Sequence, residues 1–208
     1  MHLMTQEEKY VMEYSAGMVS CLFWFNETRK TAELLMAGKS RDEIKELALK
    51  ENIYQARSED RKRRIFGVAM KRLDSLPRDV IAAIAGWDAD AAKLLVLISI
   101  MKTDLMFFEF MYEVFRQAVM LGEKELSSRA IDAFFDEKRA QSQEVAGWSQ
   151  VAIEKLKQTY AKILAEAGLL SISKNKKKII TPPIDHRLRE LADKNGLKPY
   201  LDVITGDI

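Results

Sequence analysis

Lys174, Lys176, Lys177 and Lys178 place four ammonium groups within five consecutive residues. Like charges repel, so such a run needs a reason. On a short exposed turn these groups suit phosphate oxygens, which lysine neutralises as a point charge. A solvated, aggregation-resistant loop accounts for the same run without a partner. A second cationic run, Arg57, Arg61, Lys62, Arg63 and Arg64, has two similar readings: phosphate contact, or pairing with Glu59, Asp60 and neighbouring acids. A third set, Ser149, Gln150, Lys155, Lys157 and Gln158, lies on the first half of a strongly periodic segment. Hydroxyl, amide and ammonium groups presented there reach base edges and phosphates when a helix lies in the major groove.

Residue types for covalent or metal chemistry are scarce. The two histidines, His2 and His186, are not at metal-ligand spacing, and His2 falls in a polar tail. Cys21 sits in an apolar, aromatic stretch and reads as a buried small hydrophobe rather than a nucleophile. The Walker A, GxGxxG, GxSxG and HExxH patterns do not occur. Carboxylates are scattered over helix surfaces, and the Met and Phe stripe over 101–120 reads as core. The expectation is no catalysis and no cofactor.

The elements that must position these groups are helices. In 208 residues the chain is 48% hydrophobic and 31% charged, which suits a globular protein of one or two domains. Nine Gly and four Pro are too few for a many-turned β fold. Net charge is only +2, so an anionic partner must be argued from local clusters. A lone cysteine excludes a disulfide framework and points to a reducing, cytoplasmic setting. Residues 1–13 are polar and lack the apolar core of a signal peptide. Leu94–Met101 is the most apolar run, and eight residues fall short of the roughly 20 a bilayer requires. It reads as a buried core helix, and no membrane partner is expected.

Along the chain, residues 15–25 could form a short buried helix or a strand. Asn26 is a candidate N-cap for a helix ending at Gly38. Ser40 with Glu43 forms a capping box for the next, with Ile44, Leu47 and Ala48 inward. A third helix starts near Ser58 and buries Ile65, Phe66, Ala69, Leu73 and Leu76, with Arg61, Arg64, Lys71 and Arg72 on a neighbouring flank. Three helices joined by short turns, the last one basic, outline a helix-turn-helix. Pro77 opens a further helix that ends at Gly86. Asp88 caps the apolar run, and Thr103 or Asp104 restarts a helix to Gly122. Ser127 or Ser128 caps a helix burying Ile131, Phe134 and Phe135, and a polar loop spans Lys138 to Gly147. Ser149 caps a helix with Ile153, Leu156, Tyr160, Ile163, Leu164 and Ala167 inward, Trp148 stapling Ile153. After Gly168, two β-branched runs around an Asn175-containing turn read as a hairpin, and a helix from Asp185 to Asn195-Gly196 follows.

The fold class expected is therefore all-α with helix-turn-helix units and a small C-terminal β-hairpin wing, the winged-helix arrangement. The expected domains are 1–86 and 87–208. The helix from Ser149 would read the groove, and the hairpin lysines would meet the backbone.

Tyr14-Ser15-Ala16-Gly17, Asn26-Glu27-Thr28-Arg29-Lys30 leading into Ala32-Glu33-Leu34-Leu35, and the stretch from Glu51-Asn52-Ile53-Tyr54 to Arg57-Ser58 before a basic helix ending in Arg72-Leu73 resemble the BrxA family. So does the Ala167-Gly168-Leu169-Leu170 step into the hairpin. BrxA proteins are components of the BREX bacteriophage-exclusion systems of bacteria and archaea. The resemblance covers most of the chain and is strongest over 14–73. It implies a small helical protein likened to the NusB antitermination fold, binding of double-stranded DNA, and a role beside a methyltransferase, an ATPase and a phosphatase-like protein. It supplies no catalytic residues. Together these readings favour a non-catalytic DNA-binding accessory protein. A protein–protein adaptor, marked by Trp24, Phe25 or Trp87 in an exposed apolar patch, and an antitermination-like RNA binder are the alternatives.

Overall fold

The computed structural model describes residues 13–174 and 176–207. Nearly all of the polar tail expected over residues 1–13, with His2, and the turn residue Asn175 lie outside the described residues. The chain forms two compact units, Trp24–Ser99 and the combination of Met1–Phe23 with Ile100–Ile208. The boundary expected after Gly86 falls inside the first of these.

The Trp24–Ser99 unit begins with α1 (Phe25–Met36). Asn26 does not cap it. The N-cap is Trp24, in left-handed backbone at φ 47° without a side-chain cap bond. The buried indole, with the Arg61 guanidinium 5.9 Å from its ring centroid, fixes the start instead. Gly38 takes the left-handed conformation after the helix end, as its type predicts. The capping box of α2 (Arg41–Glu46) forms in both directions: Ser40 Oγ accepts from the Glu43 N–H at 3.2 Å, and Glu43 accepts from the Ser40 N–H at 2.8 Å. A π turn (Leu47–Glu51) extends α2. The link to α3 (Glu59–Asp74) is not the short turn expected. Residues 52–58 form a loop closed by Asn52, whose amide group exchanges two hydrogen bonds with the Ala56 backbone, at 2.9 and 3.1 Å. Ser58 caps α3, which buries Ile65, Ala69, Met70 and Leu73. Arg72 is also buried, at 2% exposure, so it leaves the basic flank assigned to it. Arg29 donates to the carbonyls of Ala85 and Trp87 at the end of α4 (Arg78–Gly86). This is a cation at a helix C-terminus, where orphan carbonyls and the dipole favour it.

Asp88 Oδ1 accepts from the Ala91 N–H at 3.0 Å and starts α5 (Ala89–Thr103), whose Leu94–Met101 run is wholly buried. Among the described residues, no helix is long and apolar enough to cross a membrane.

In the other unit, residues 15–23 form no strand and only one short helical turn. A 3-10 turn (Ala16–Ser20) capped by Ser15 runs into extended backbone at Cys21. Cys21 is half-buried rather than buried, because the turn leaves it at the edge of the apolar stretch. Asp104 caps α6 (Leu105–Phe110), which passes through a π turn (Met111–Phe115) into α7 (Arg116–Met120). Ser127 caps α8 (Ser128–Gln141), and Ser142 caps the single-turn α9 (Gln143–Ala146). The expected polar loop from Lys138 is therefore largely helical. Lys138 itself is buried, with Nζ 2.8 Å from Glu109 Oε2 and 2.8 Å from Glu113 Oε1. The Tyr14 hydroxyl donates to Glu109 at 2.7 Å and joins the network. Ser149 caps α10 (Gln150–Glu166), which sends Tyr160 against Phe107 and Phe110, ring centroids 5.0 and 5.1 Å away. The antiparallel hairpin β1 (Leu170–Ser173) and β2 (Lys176–Ile179) follows. Asp185 caps α11 (His186–Lys194). A final helix, α12 (Lys198–Thr205), was not anticipated; Pro199 in its first turn was the available signal. The expectation of a mostly helical chain with one small C-terminal hairpin holds.

Candidate nucleic-acid interface

The hairpin carries the lysines in a different pattern from the one expected. Its register pairs Leu170 with Ile179, Ser171 with Lys178, Ile172 with Lys177 and Ser173 with Lys176. Only Lys174 occupies the turn, at φ 44°; Lys176, Lys177 and Lys178 are strand residues and point alternately to opposite faces. The reason lies outside the hairpin. Residues 124–126 pair along the free edge of β2. The Leu126 N–H donates to the Lys177 carbonyl at 2.8 Å, and the Ile179 N–H to the Lys124 carbonyl at 2.9 Å. That edge pairing extends β2 back through the lysine run.

The neighbouring segment also claims two of the four charges. Lys176 Nζ lies 3.3 Å from Glu125, and Lys177 Nζ donates to Ser128 Oγ at 3.0 Å. Lys174 and Lys178 are exposed and form no ion pair or side-chain hydrogen bond among the described residues.

The candidate groups on α10 divide in the same way. Ser149 Oγ is taken by its cap, accepting from the Ala152 N–H at 3.2 Å. Gln150 donates to Glu154 at 3.0 Å. Lys157 is drawn into ion pairs with Asp132 at 2.7 Å and Glu154 at 2.9 Å. Burial opposes its charge, but these carboxylates outweigh it and hold the ammonium above its ordinary pKa. Lys155 and Gln158 remain outward and unpaired among the described residues. Between α8, α10 and the hairpin lies an open groove of about 460 Å³, reached by Gln158, Lys177 and the exposed Ile172.

In the Trp24–Ser99 unit, Arg61 stacks on Trp24, Lys62 donates to the Leu49 carbonyl at 3.0 Å, and Arg63 pairs with Glu59. Arg57 and Arg64 are exposed without a partner among the described residues. So three of the five cations in this basic run are engaged internally, and two are without a partner among the described residues.

Trp24 is buried, and Phe25 and Trp87 are half-buried, so these three aromatics do not make the exposed patch that would mark an adaptor. Among the described residues, the large apolar side chains that do protrude are Met120, Leu121, Val151, Ile172 and Ile180. Among the described residues no cluster of His, Cys, Asp or Glu is placed to hold a metal ion. His186 is exposed beside Glu190, 3.2 Å away.

The BrxA family model matches residues 12–196. A protein of Bacillus cereus (strain H3081.97) described as "BREX protein BrxA" is 38% identical over 194 residues, spanning 93% of this chain and 97% of its own length. The crystal structure of an uncharacterized protein from Magnetospirillum magneticum superposes with a TM-score of 0.78 at 19% identity. It covers 93% of this chain and 98% of that one, and shows that the same fold extends over nearly the whole length.

Proposed function

The chain belongs to the BrxA family, and on that premise we propose that it is a non-catalytic, DNA-binding accessory component of a cytoplasmic BREX phage-defence system. The observation that carries the DNA reading is one arrangement within one unit. A capped helix, α10, follows a helix and a single helical turn and leads directly into a β-hairpin, and the ammonium groups without a partner among the described residues on these elements are Lys155, Lys174 and Lys178. In a winged-helix use of this arrangement, α10 enters the major groove and the hairpin lies on the backbone. Lysine reads bases poorly, so the contacts are mainly to phosphate and sequence preference is weak. Gln158 is the group on α10 available for a base edge. Arg57 and Arg64 of the other unit are further candidates for phosphate contact. The accompanying methyltransferase, ATPase and phosphatase-like proteins supply the chemistry of the system, and this chain supplies contact with duplex DNA and with them.

The test is a gel-shift titration of a generic duplex at about 50 and about 200 mM salt, a range over which phosphate-driven binding falls steeply. Lys155, Lys174 and Lys178 changed together to Ala should weaken binding and reduce the slope of log affinity against log salt by about 2–3, close to one per lost phosphate contact. Changing Lys176 and Lys177 to Ala should do much less, because their charges are already engaged. Salt-independent affinity, or equal losses in the two variants, would refute the model. A structured RNA that outcompetes duplex of equal length would transfer it to RNA.

A further inference from the structure

The C-terminal unit holds a second groove, formed by other residues of α8. It lies between α8 and the π turn with α7, about 240 Å³ in volume. Val114, Ala118, Ala133 and Phe134 contribute apolar lining, and Leu121 is 75% exposed at the groove, next to Met120 at 44%. The charges around it are of one sign. Glu113, Glu123 and Glu137 line it, and no lysine or arginine does.

Two of these carboxylates, Glu123 and Glu137, have no cation paired with them among the described residues. The third, Glu113, shares the Lys138 ammonium with Glu109, at 2.8 Å from each, so its charge is offset only in part. Glu137 accepts a hydrogen bond from the Gln141 amide at 2.8 Å, a neutral donor that leaves its charge intact. Glu123 is exposed and forms no ion pair among the described residues. An exposed leucine among unopposed carboxylates gives an isolated chain no stability. It combines the two halves of a recognition surface, apolar area for affinity and charge for selection.

We propose that this groove docks a basic amphipathic segment of a partner protein. One aliphatic or aromatic side chain occupies the apolar floor against Leu121, and Lys or Arg residues one helical turn to either side meet Glu113, Glu123 and Glu137. This is the helix-in-groove mode, with anchors spaced three or four residues apart. The same carboxylates repel nucleic acid and acidic peptides, so charge separates this surface from the lysine-bearing hairpin and α10.

The probe is a fluorescein-labelled synthetic helical peptide with Leu at i and i+4 flanked by lysines, beside a counterpart with glutamate at every lysine position. Fluorescence anisotropy is read against the full chain. The lysine peptide should bind and the glutamate peptide should not. Leu121→Ser and the pair Glu123→Lys with Glu137→Lys should each weaken binding at least tenfold, while Glu166→Lys, outside the groove, leaves it unchanged. Circular dichroism establishes that each variant is folded, and an unaltered duplex-DNA titration of the charge-neutral Leu121→Ser shows that the two surfaces are separate. Absence of binding by the lysine peptide up to about 1 mM, or undiminished binding by the groove variants, overturns the proposal. So does a shift from dimer to monomer in sedimentation on Leu121→Ser, which would make a second copy of the chain the occupant.

Discussion

Replacing Lys138 by Met should cost about 3 kcal/mol of folding stability at pH 8, although methionine preserves nearly all of the aliphatic packing. The lysine side chain is 5% exposed, and its ammonium sits 2.8 Å from one oxygen of each of two glutamates. Those oxygens therefore lie within about 6 Å of each other. Two unit charges at that separation repel by about 3 kcal/mol at an effective dielectric near 20. Removing one partner from a buried ion pair typically costs about 3–5 kcal/mol. Glu113 is 34% exposed while Glu109 is 7%, so solvent screening draws the figure to the lower end. For a chain of this size the loss corresponds to a fall in Tm of about 6–12 °C. The pH dependence separates charge from packing. In the variant, repulsion raises the folded-state pKa of one carboxyl above its unfolded value near 4.3. The resulting stability is fully present below that value and is lost as pH rises through the folded one, so the deficit shrinks at pH 5. In the wild type, burial pulls the Lys138 ammonium down, but its hydrogen bonds to Glu109 and Glu113 outweigh burial and hold it above its ordinary value. Its contribution is then full below that value and is lost only in the alkaline range. Adding Glu109→Gln to the variant removes one negative charge, keeps an acceptor for Tyr14, and should recover most of the loss. Urea denaturation followed by circular dichroism at pH 5 and pH 8 measures all of this. A deficit below about 1 kcal/mol at pH 8, or one identical at the two pH values, would refute the reasoning.

Two further substitutions test the packing of the unit that carries the hairpin. Tyr160 is fully buried and its hydroxyl has no hydrogen-bond partner among the described residues, so Tyr160→Phe should stabilise by about 1 kcal/mol and raise Tm by a few degrees; a drop in Tm would show that the hydroxyl is bonded. Gly206 ends α12 at φ 76°, and a Cβ there would lie 2.7 Å from Val119 Cγ1. Gly206→Ala should therefore cost about 2 kcal/mol, against about 1 for Gly38→Ala, where φ is similarly positive but nothing lies within 4 Å. Equal losses in thermal scans would remove the steric contribution.

Helix starts were legible because capping is decided within three residues. Ser40, Ser58, Asp88, Asp104, Ser127, Ser149 and Asp185 each sit at the N-cap inferred for them or for their segment, and each accepts from the backbone N–H three residues on. The inward stripe of α10 was legible for a similar reason, since its period needs no knowledge of what it packs on. What stayed hidden was the fate of individual charges. Lys138 meets acids 25 and 29 positions earlier, and Lys176 meets one 51 positions earlier. Neither distance leaves a trace in local composition. A run of lysines or arginines is therefore an inventory from which folding withdraws. Arg61, Lys62, Arg63, Lys157, Lys176 and Lys177 have been drawn into the protein's own contacts. Arg57, Arg64, Lys155, Lys174 and Lys178 are exposed and have no partner among the described residues. Withdrawal also works on the acids, and Glu123 and Glu137, which no cation claims among the described residues, emerge beside an exposed leucine only because the π turn before α7 packs on α8. Charge density along the chain points to the hairpin, but the unpaired charges after folding select fewer lysines there and add an acidic groove that composition alone does not reveal.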